Sequence, residues 1–367
     1  MNIRTFFRLF LLFLLLTMFS QPIHAFTVEI VAPHINESTP AAMILNNALQ
    51  DKILNIENEI KDFIGDYSDL PDLAPGFAYT GVYSSYAASQ RFTVSNRLMI
   101  TAGSIVSIHA PSSNPSYYSS DFSELLEDEE FQAGFAIAPL VVQAGINSDF
   151  IVPGLFLSLQ YGQLDASGDI YDVKGKISSR TYGIRGSYSI IDKKNVVPSL
   201  FAWNGLTLNA GLIYHSISMN LNRSFKMFDE DTEFSYLTYT GTIHIDPRFS
   251  LDIRSSAYVI PVEIMSSANF LGINIAAGLG IDIYKCSSSI ELNAQSNIDM
   301  EGPISPLISP GSFYLDYTSK NEHVSGPPIA KIMLDLGMAA GPILIDIPVT
   351  WHYPTGLSAG ITTGIRL

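Results

Sequence analysis

The chain has 367 residues, 47% of them hydrophobic and only 15% charged, with a formal net charge of −15. A soluble domain usually carries about 25% charged residues, so this chain is short of the groups that keep a surface wet. The acidic balance excludes a general affinity for nucleic acid or anionic surfaces, and the apolar content excludes a disordered chain.

Residues 1–25 read as an export signal. Arg4 and Arg8 form a positive n-region, Leu9 to Phe19 is an apolar run, and Pro22-Ile23-His24-Ala25 ends on a small residue before Phe26. Eleven apolar residues cover only about half of a bilayer core, so cleavage near Phe26 is expected rather than anchoring. The single cysteine, Cys286, lies far from that point. It offers neither a lipid attachment site at a new N-terminus nor an intrachain disulfide. Beyond residue 25 no apolar run is long enough for a helical membrane span.

Residues 26–76 read as a helical segment followed by a linker. Ser38 or Thr39 caps a helix over 39–64, with Pro40 in its first turn and Gly65 at its end. Leu49, Ile53, Ile56, Ile60 and Phe63 recur at spacings of four and three, which gives one apolar stripe and so one packing partner. That partner is the barrel mouth, the barrel lumen or another protein. In the lumen, Ile53, Ile56, Ile60 and Phe63 would act as a plug. Asp66 to Gly76 is acidic and contains proline, as a linker does.

From residue 77 to 367 the period changes to two. Leu271, Ile273, Ile275, Ala277, Leu279, Ile281 and Ile283 share one parity; Gly272, Asn274, Ala276, Gly278, Gly280 and Asp282 share the other. Such a strand faces lipid on one side and a polar or small-residue interior on the other. The pattern returns at Leu98–Ile108, Ile151–Tyr161, Tyr182–Ile190, Leu206–Tyr214, Ile290–Ala294 and Ile343–Trp351. Tyr161, Tyr188, Tyr214, Tyr284 and Trp351 fall near strand ends, where an interfacial girdle belongs. A periplasmic β-sandwich also alternates, but its outer parity needs charges, and Leu271–Tyr284 has only Asp282. The expectation is an all-β fold, a transmembrane antiparallel barrel of about twelve strands (ten to fourteen) with an N-terminal amphipathic helix. Polar stretches at 112–130, 223–233 and 301–327 read as extracellular loops or a short inserted helix.

The final strand alternates through Leu357, Ala359, Ile361, Thr363, Ile365 and Leu367. It resembles the C-terminal strand of Gram-negative outer-membrane β-barrel proteins, whose assembly machinery reads an apolar last residue. It departs from that pattern in ending on Leu367 rather than Phe and in lacking an aromatic at 365. The resemblance implies an outer-membrane location and assigns Ile361, Ile365 and Leu367 to assembly. The Gly76-Phe77-Ala78-Tyr79 segment, with the apolar composition, resembles hydrophobic-substrate transporters that carry an N-terminal hatch.

Little chemistry is legible. Gly356-Leu357-Ser358-Ala359-Gly360 fits G-x-S-x-G, but that motif needs a strand-to-helix elbow, and Ser358 lies inside an alternating strand. His34, His109, His215, His244, His323 and His352 show no metal-ligand spacing. The acidic run Asp229-Glu230-Asp231 and Glu233 reads as a solvated loop rather than a calcium site. No cofactor and no catalysis are expected. The reading is a channel or transporter for small, hydrophobic solutes, or alternatively a surface-exposed barrel acting as an adhesin or structural protein. Its partners are outer-membrane lipids, the assembly machinery, and a solute or surface ligand.

Overall fold

The computed structural model describes residues 23–36, 42–44, 46–51, 54, 73–86, 98–109, 134–170, 173–197, 200–224, 232–236, 239–245, 248–301 and 308–366. Its elements run β1 (Ile23–Val31), β2 (His34–Ile35), helix α1 (Leu73–Tyr83), β3 (Leu98–His109), β4 (Gly134–Asn147), β5 (Leu155–Ile170) and β6 (Val173–Ile191). Then follow β7 (Lys194–Val197), β8 (Phe201–Ser224), β9 (Thr232–Tyr236), β10 (Tyr239–Ile245), β11 (Arg248–Phe270) and β12 (Ile273–Glu301). The last are β13 (Ile308–Ser309), β14 (Gly311–Val324), β15 (Ile329–Ala340), β16 (Ile343–His352) and β17 (Gly356–Arg366).

All the pairings are antiparallel. The main path orders the strands β1-β14-β12-β11-β8-β6-β5-β4-β3-β17-β16-β15, and a β12–β15 pairing closes it. β12 does double duty. Its first half, Ile273–Asp282, pairs with β15, and its second half, from Cys286 to Ile298, pairs with β14. Ten of the described strands, β3 to β6, β8, β11, β12 and β15 to β17, therefore form a closed ring. β14 and β1 continue a sheet above it.

Connections at the end that carries Arg366 are short: 148–154, 192–193, 271–272 and 341–342. The first turns back through Ser148 N–H to Leu155 O at 2.7 Å. Leu271 belongs to a turn and not to the strand it was expected to open, with Leu271 and Gly272 both at positive φ (51° and 89°). The opposite end carries the longer connections 110–133 and 225–231, and there the strands run on. In outer-membrane barrels generally, short turns lie at the periplasmic end and long loops at the exterior.

The alternation expected for β12 holds side chain by side chain. Ile273, Ile275, Ala277, Leu279 and Ile281 are exposed on the outer face, while Asn274, Ala276 and Asp282 are buried inside. One register row marks where the outer face changes. Tyr161, Tyr182, Tyr214 and Tyr258 stand opposite one another on β5, β6, β8 and β11, with ring centroids 5.5, 6.2 and 4.8 Å apart. Towards the turn end the outer face is apolar, as at Ile184, Leu212, Ile260 and Ile264. Towards the loop end it carries Arg180, Ser216 and Ser256 in the next outward row, and Ser178, Ser218 and Arg254 in the one after. The inner face holds the buried charges towards the turns (Arg185, Glu263, Asp335), beside an apolar cluster of Met265, Ala276 and Met333, and is apolar towards the loops at Ile253, Ile290, Ala294 and Ile298. Tyr161 and Tyr214 are thus girdle residues as expected. Tyr284 is not, because it points into the lumen and is buried.

The N-terminal segment sits at the loop end. β1 pairs with β14, and β2 pairs with β13. Of the helix expected over 39–64, residues 42–44, 46–51 and 54 are described and helical, with Leu49 buried. Asn46 ties it to β2, accepting from Ile35 N–H at 2.7 Å and donating to Ile35 O at 3.0 Å. Ile53, Ile56, Ile60, Phe63 and Leu367 lie outside the described residues. Ile361 and Ile365 are exposed on the outer face of β17.

The depth reading is testable on one strand and one parity. Leu279→Arg places a cation among the lipid-facing apolar residues and should cost about 2–4 kcal/mol of assembly free energy, whereas Asn293→Arg, above the tyrosine row, should cost about 0–1. Heat-modifiable gel migration measures the assembled fraction. Equal assembly of the two variants would contradict the boundary.

Candidate functional site

Two things fill the lumen, a helix and a charge network. Helix α1, LAPGFAYTGVY, carries Pro75 in its first turn, where a missing N–H leaves no bond unmade. It is thin, with Ala74, Gly76, Ala78 and Gly81, and it is buried on both sides. A Cβ on Gly81 would come within 2.7 Å of Ser255 Oγ, so the helix passes close to the wall there. Residues 73–76, expected as linker, are the start of this helix. Its burial explains why: a helix enclosed by a barrel presents no polar face and so shows no stripe in the sequence.

Hydrogen bonds tie α1, and the 3-10 turn Ser84–Tyr86 that follows it, to the wall. Ser288 Oγ donates to Ala74 O, Ser255 Oγ to Phe77 O at 2.8 Å, and Gln160 Nε2 to Ser85 O at 3.0 Å. Tyr83 Oη meets His109 Nδ1 at 3.2 Å. Much of the other contact is apolar and aromatic. Phe77 packs on Ile253 and Ile290. Ala78, Val82 and Tyr83 share a cluster with Ile213, Ala257, Val259, Tyr284, Cys286 and Ile329. Tyr79 stacks on His109 at 4.9 Å, and Tyr83 on His352 at 4.2 Å. Tyr83 fits because β17 opens with glycine; a Cβ on Gly356 would lie 2.3 Å from the tyrosine ring.

Towards the turn end, Lys331 Nζ bonds Glu263 Oε1 and Asp282 Oδ1, both at 2.7 Å. Arg185 donates to Glu263 Oε2 at 2.6 Å. His352 Nδ1 lies 3.6 Å from Asp282 Oδ2, and its Nε2 is 3.1 Å from Ser358 Oγ. Two long side chains each cross a neighbouring strand to do this, and glycine makes the room. A Cβ on Gly211 would come within 2.8 Å of Arg185 Cγ, and one on Gly280 within 2.9 Å of Lys331 Cε. The network so links β6, β11, β12, β15, β16 and β17. Two cations against two carboxylates let four buried charges compensate one another.

Ser358, His352 and Asp282 do form a contact chain, yet it is structural. Ser358 is 1% exposed and His352 is 0% exposed, which leaves no room for a substrate carbonyl. Ser358 pairs with Thr350 and Ser107 inside the sheet, so there is no elbow. Asp282 is shared with Lys331, and the Tyr83 ring covers the imidazole. Sequence reading singled out Ser358 and missed the network, whose members are scattered from 185 to 358. Among the described residues no three His, Cys, Asp or Glu side chains cluster as metal ligands.

Lys331→Met leaves Asp282 a buried carboxylate without its lysine and should destabilise the barrel by about 3–5 kcal/mol. Lys331→Met/Asp282→Leu, which removes both ends of the pair, should recover most of that. The temperature at which the compact band converts on gels measures both, and equal losses in the two variants would contradict the pairing.

The Lsa36-like family model matches residues 26–366. No curated protein matches the sequence. Among solved structures, the translocator domain of autotransporter NalP from Neisseria meningitidis is 9% identical, with 74% of this chain and 88% of that one covered and a TM-score of 0.32. The Ralstonia pickettii toluene transporter TbuX is 8% identical, covering 81% and 98%, at a TM-score of 0.25. A Pseudomonas aeruginosa FadL homologue is 8% identical, covering 81% and 97%, at 0.22. A match over residues 26–366 settles the family: this chain, folded as an antiparallel β-barrel, belongs to the Lsa36-like family.

Proposed function

We propose that the protein is a plugged outer-membrane channel for small solutes with an apolar part, and that α1 is the plug. One observation carries this reading. A helix enclosed by β3, β4, β8, β11, β12, β14 and β17 shares none of their strand ladder, so it can shift while the wall stands. Phe77, Val82 and Tyr83 each contribute about 1.5–3 kcal/mol by burial, enough to hold the plug without making it permanent. The wall that α1 touches is apolar at Ile213, Val259, Ile253, Ile290 and Ile329, and a solute of like character can compete for it. In this reading the mature chain begins near Phe26, where the family match also begins, and 26–86 is the plug-bearing segment. Ile361 and Ile365, exposed on the last strand, are offered to the assembly machinery.

A second reading, a barrel that binds a ligand at the cell surface, is favoured by the sheet that β11, β12, β14 and β1 raise beyond the tyrosine row. Planar-bilayer recording separates the two. Gly356→Ala puts a methyl group where the Tyr83 ring sits and should raise conductance several-fold over the native barrel. A variant that assembles and stays as closed as the native protein would contradict the plug and favour the surface reading.

A further inference from the structure

We propose that the outer face just above the tyrosine row binds the phosphate-bearing headgroup of an outer-leaflet lipid. Three observations meet there. The first is shape. Ser216, Ser218, Ser256, Ser287 and Ser289 occupy the outward positions of β8, β11 and β12, and their short side chains leave a trough of about 830 Å³ between longer neighbours. Ile217, Ser255 and Ser288, whose side chains point the other way, reach the trough from its floor. These half-buried serines, of which Ser256 and Ser287 bond one another at 2.9 Å, carry hydroxyl donors that fit phosphate oxygens.

The second is charge. Four cations and three acids line the trough: Arg254 engages Asp252 at 3.0 and 2.7 Å, Lys320 engages Glu291 at 3.3 Å, and Asp165 stands near Arg180 and Lys176, which leaves one positive charge in excess. Among the described residues Lys176 and Arg180 make no ion pair within 4 Å, and both line the same trough. In a chain of net charge −15 this is a local site for an anion. Arginine beside hydroxyl donors suits phosphate in geometry as well as sign.

The third is depth. Arg180 stands in the first outward row above Tyr182, about 7 Å along the strand at the usual rise. The headgroup layer occupies about 5–8 Å on each side of the hydrocarbon core, so the guanidinium lies where lipid phosphates lie. Ser216, Ser256 and Ser287 share its register row. A free anion has no reason to be matched in depth, whereas a headgroup anchored by its chains below the tyrosine row does.

Native mass spectrometry of the full chain, in micelles doped with phosphatidylglycerol or with diacylglycerol, tests this. The native protein should retain phosphatidylglycerol and not diacylglycerol, and millimolar inorganic phosphate should not displace it. Arg180→Ala and Lys176→Ala/Arg180→Ala should cut retention at least five-fold, while Arg180→Lys should keep most of it. Heat-modifiable migration confirms assembly, and the single variant serves where the double does not assemble. Equal retention by native protein and Arg180→Ala would overturn the proposal. So would displacement by inorganic phosphate, which would make this a free-anion site, or equal retention of diacylglycerol.

Discussion

Inside a bilayer no backbone N–H or C=O can be left unpaired, and the whole structure follows from how this chain meets that demand. The closing strand is β12, which pairs with β15 within the membrane and with β14 above it. Ser325-Gly326-Pro327-Pro328 separates those two partners, and the prolines stop a single strand from running through. Below the break the ring is shut. Above it the sheet is free to open, and β1 covers the edge that β14 would otherwise leave bare.

A closed ring then has to satisfy two solvents, and this one exchanges them at the tyrosine row. Below the row, lipid lies outside and the buried charge network inside; above it, water lies outside and apolar side chains line the interior. Helix α1 sits at the changeover. Phe77 uses the apolar lining of the upper sheet, while Tyr83 rests on His352, the outermost member of the charge network. The plug is therefore seated by both halves of the lumen. Its small residues let it fit, and the glycine that opens β17 makes the seat for its largest ring.

Much of the wall was legible in the sequence because alternation is a direct consequence of a two-solvent strand. Leu271–Ile283 shows it: the parity is right for every residue from Ile273 onward, and the error at Leu271 comes from a tight turn that also tolerates a leucine. Strand length was less legible. Residues 301–327 read as a loop, yet Gly311–Val324 form β14 and pair with the part of β12 above the closed ring; a strand with polar residues outside looks like loop in a sequence. Tyr284 was misplaced because an aromatic near a strand end looks the same whether it faces the headgroups or a plug. The network was hidden for another reason. Arg185, Glu263, Asp282, Lys331 and His352 come together only through the register of non-adjacent strands, and no local spacing announces them. Helix α1 was hidden by its own burial, although Gly76–Tyr79 drew notice as a hatch-like segment.

The sole cysteine gives the most direct test of a helix seated in the lumen. Cys286 faces inward, is 2% exposed, and shares its cluster with Ala78, Val82 and Tyr83 of the helical segment. Its labelling by a charged, membrane-impermeant maleimide should be slow in the native barrel. It should become at least ten-fold faster when Gly356→Ala unseats Tyr83. Rapid labelling of the native protein, or a thiol that stays protected in an assembled Gly356→Ala barrel, would contradict a lumen closed by α1.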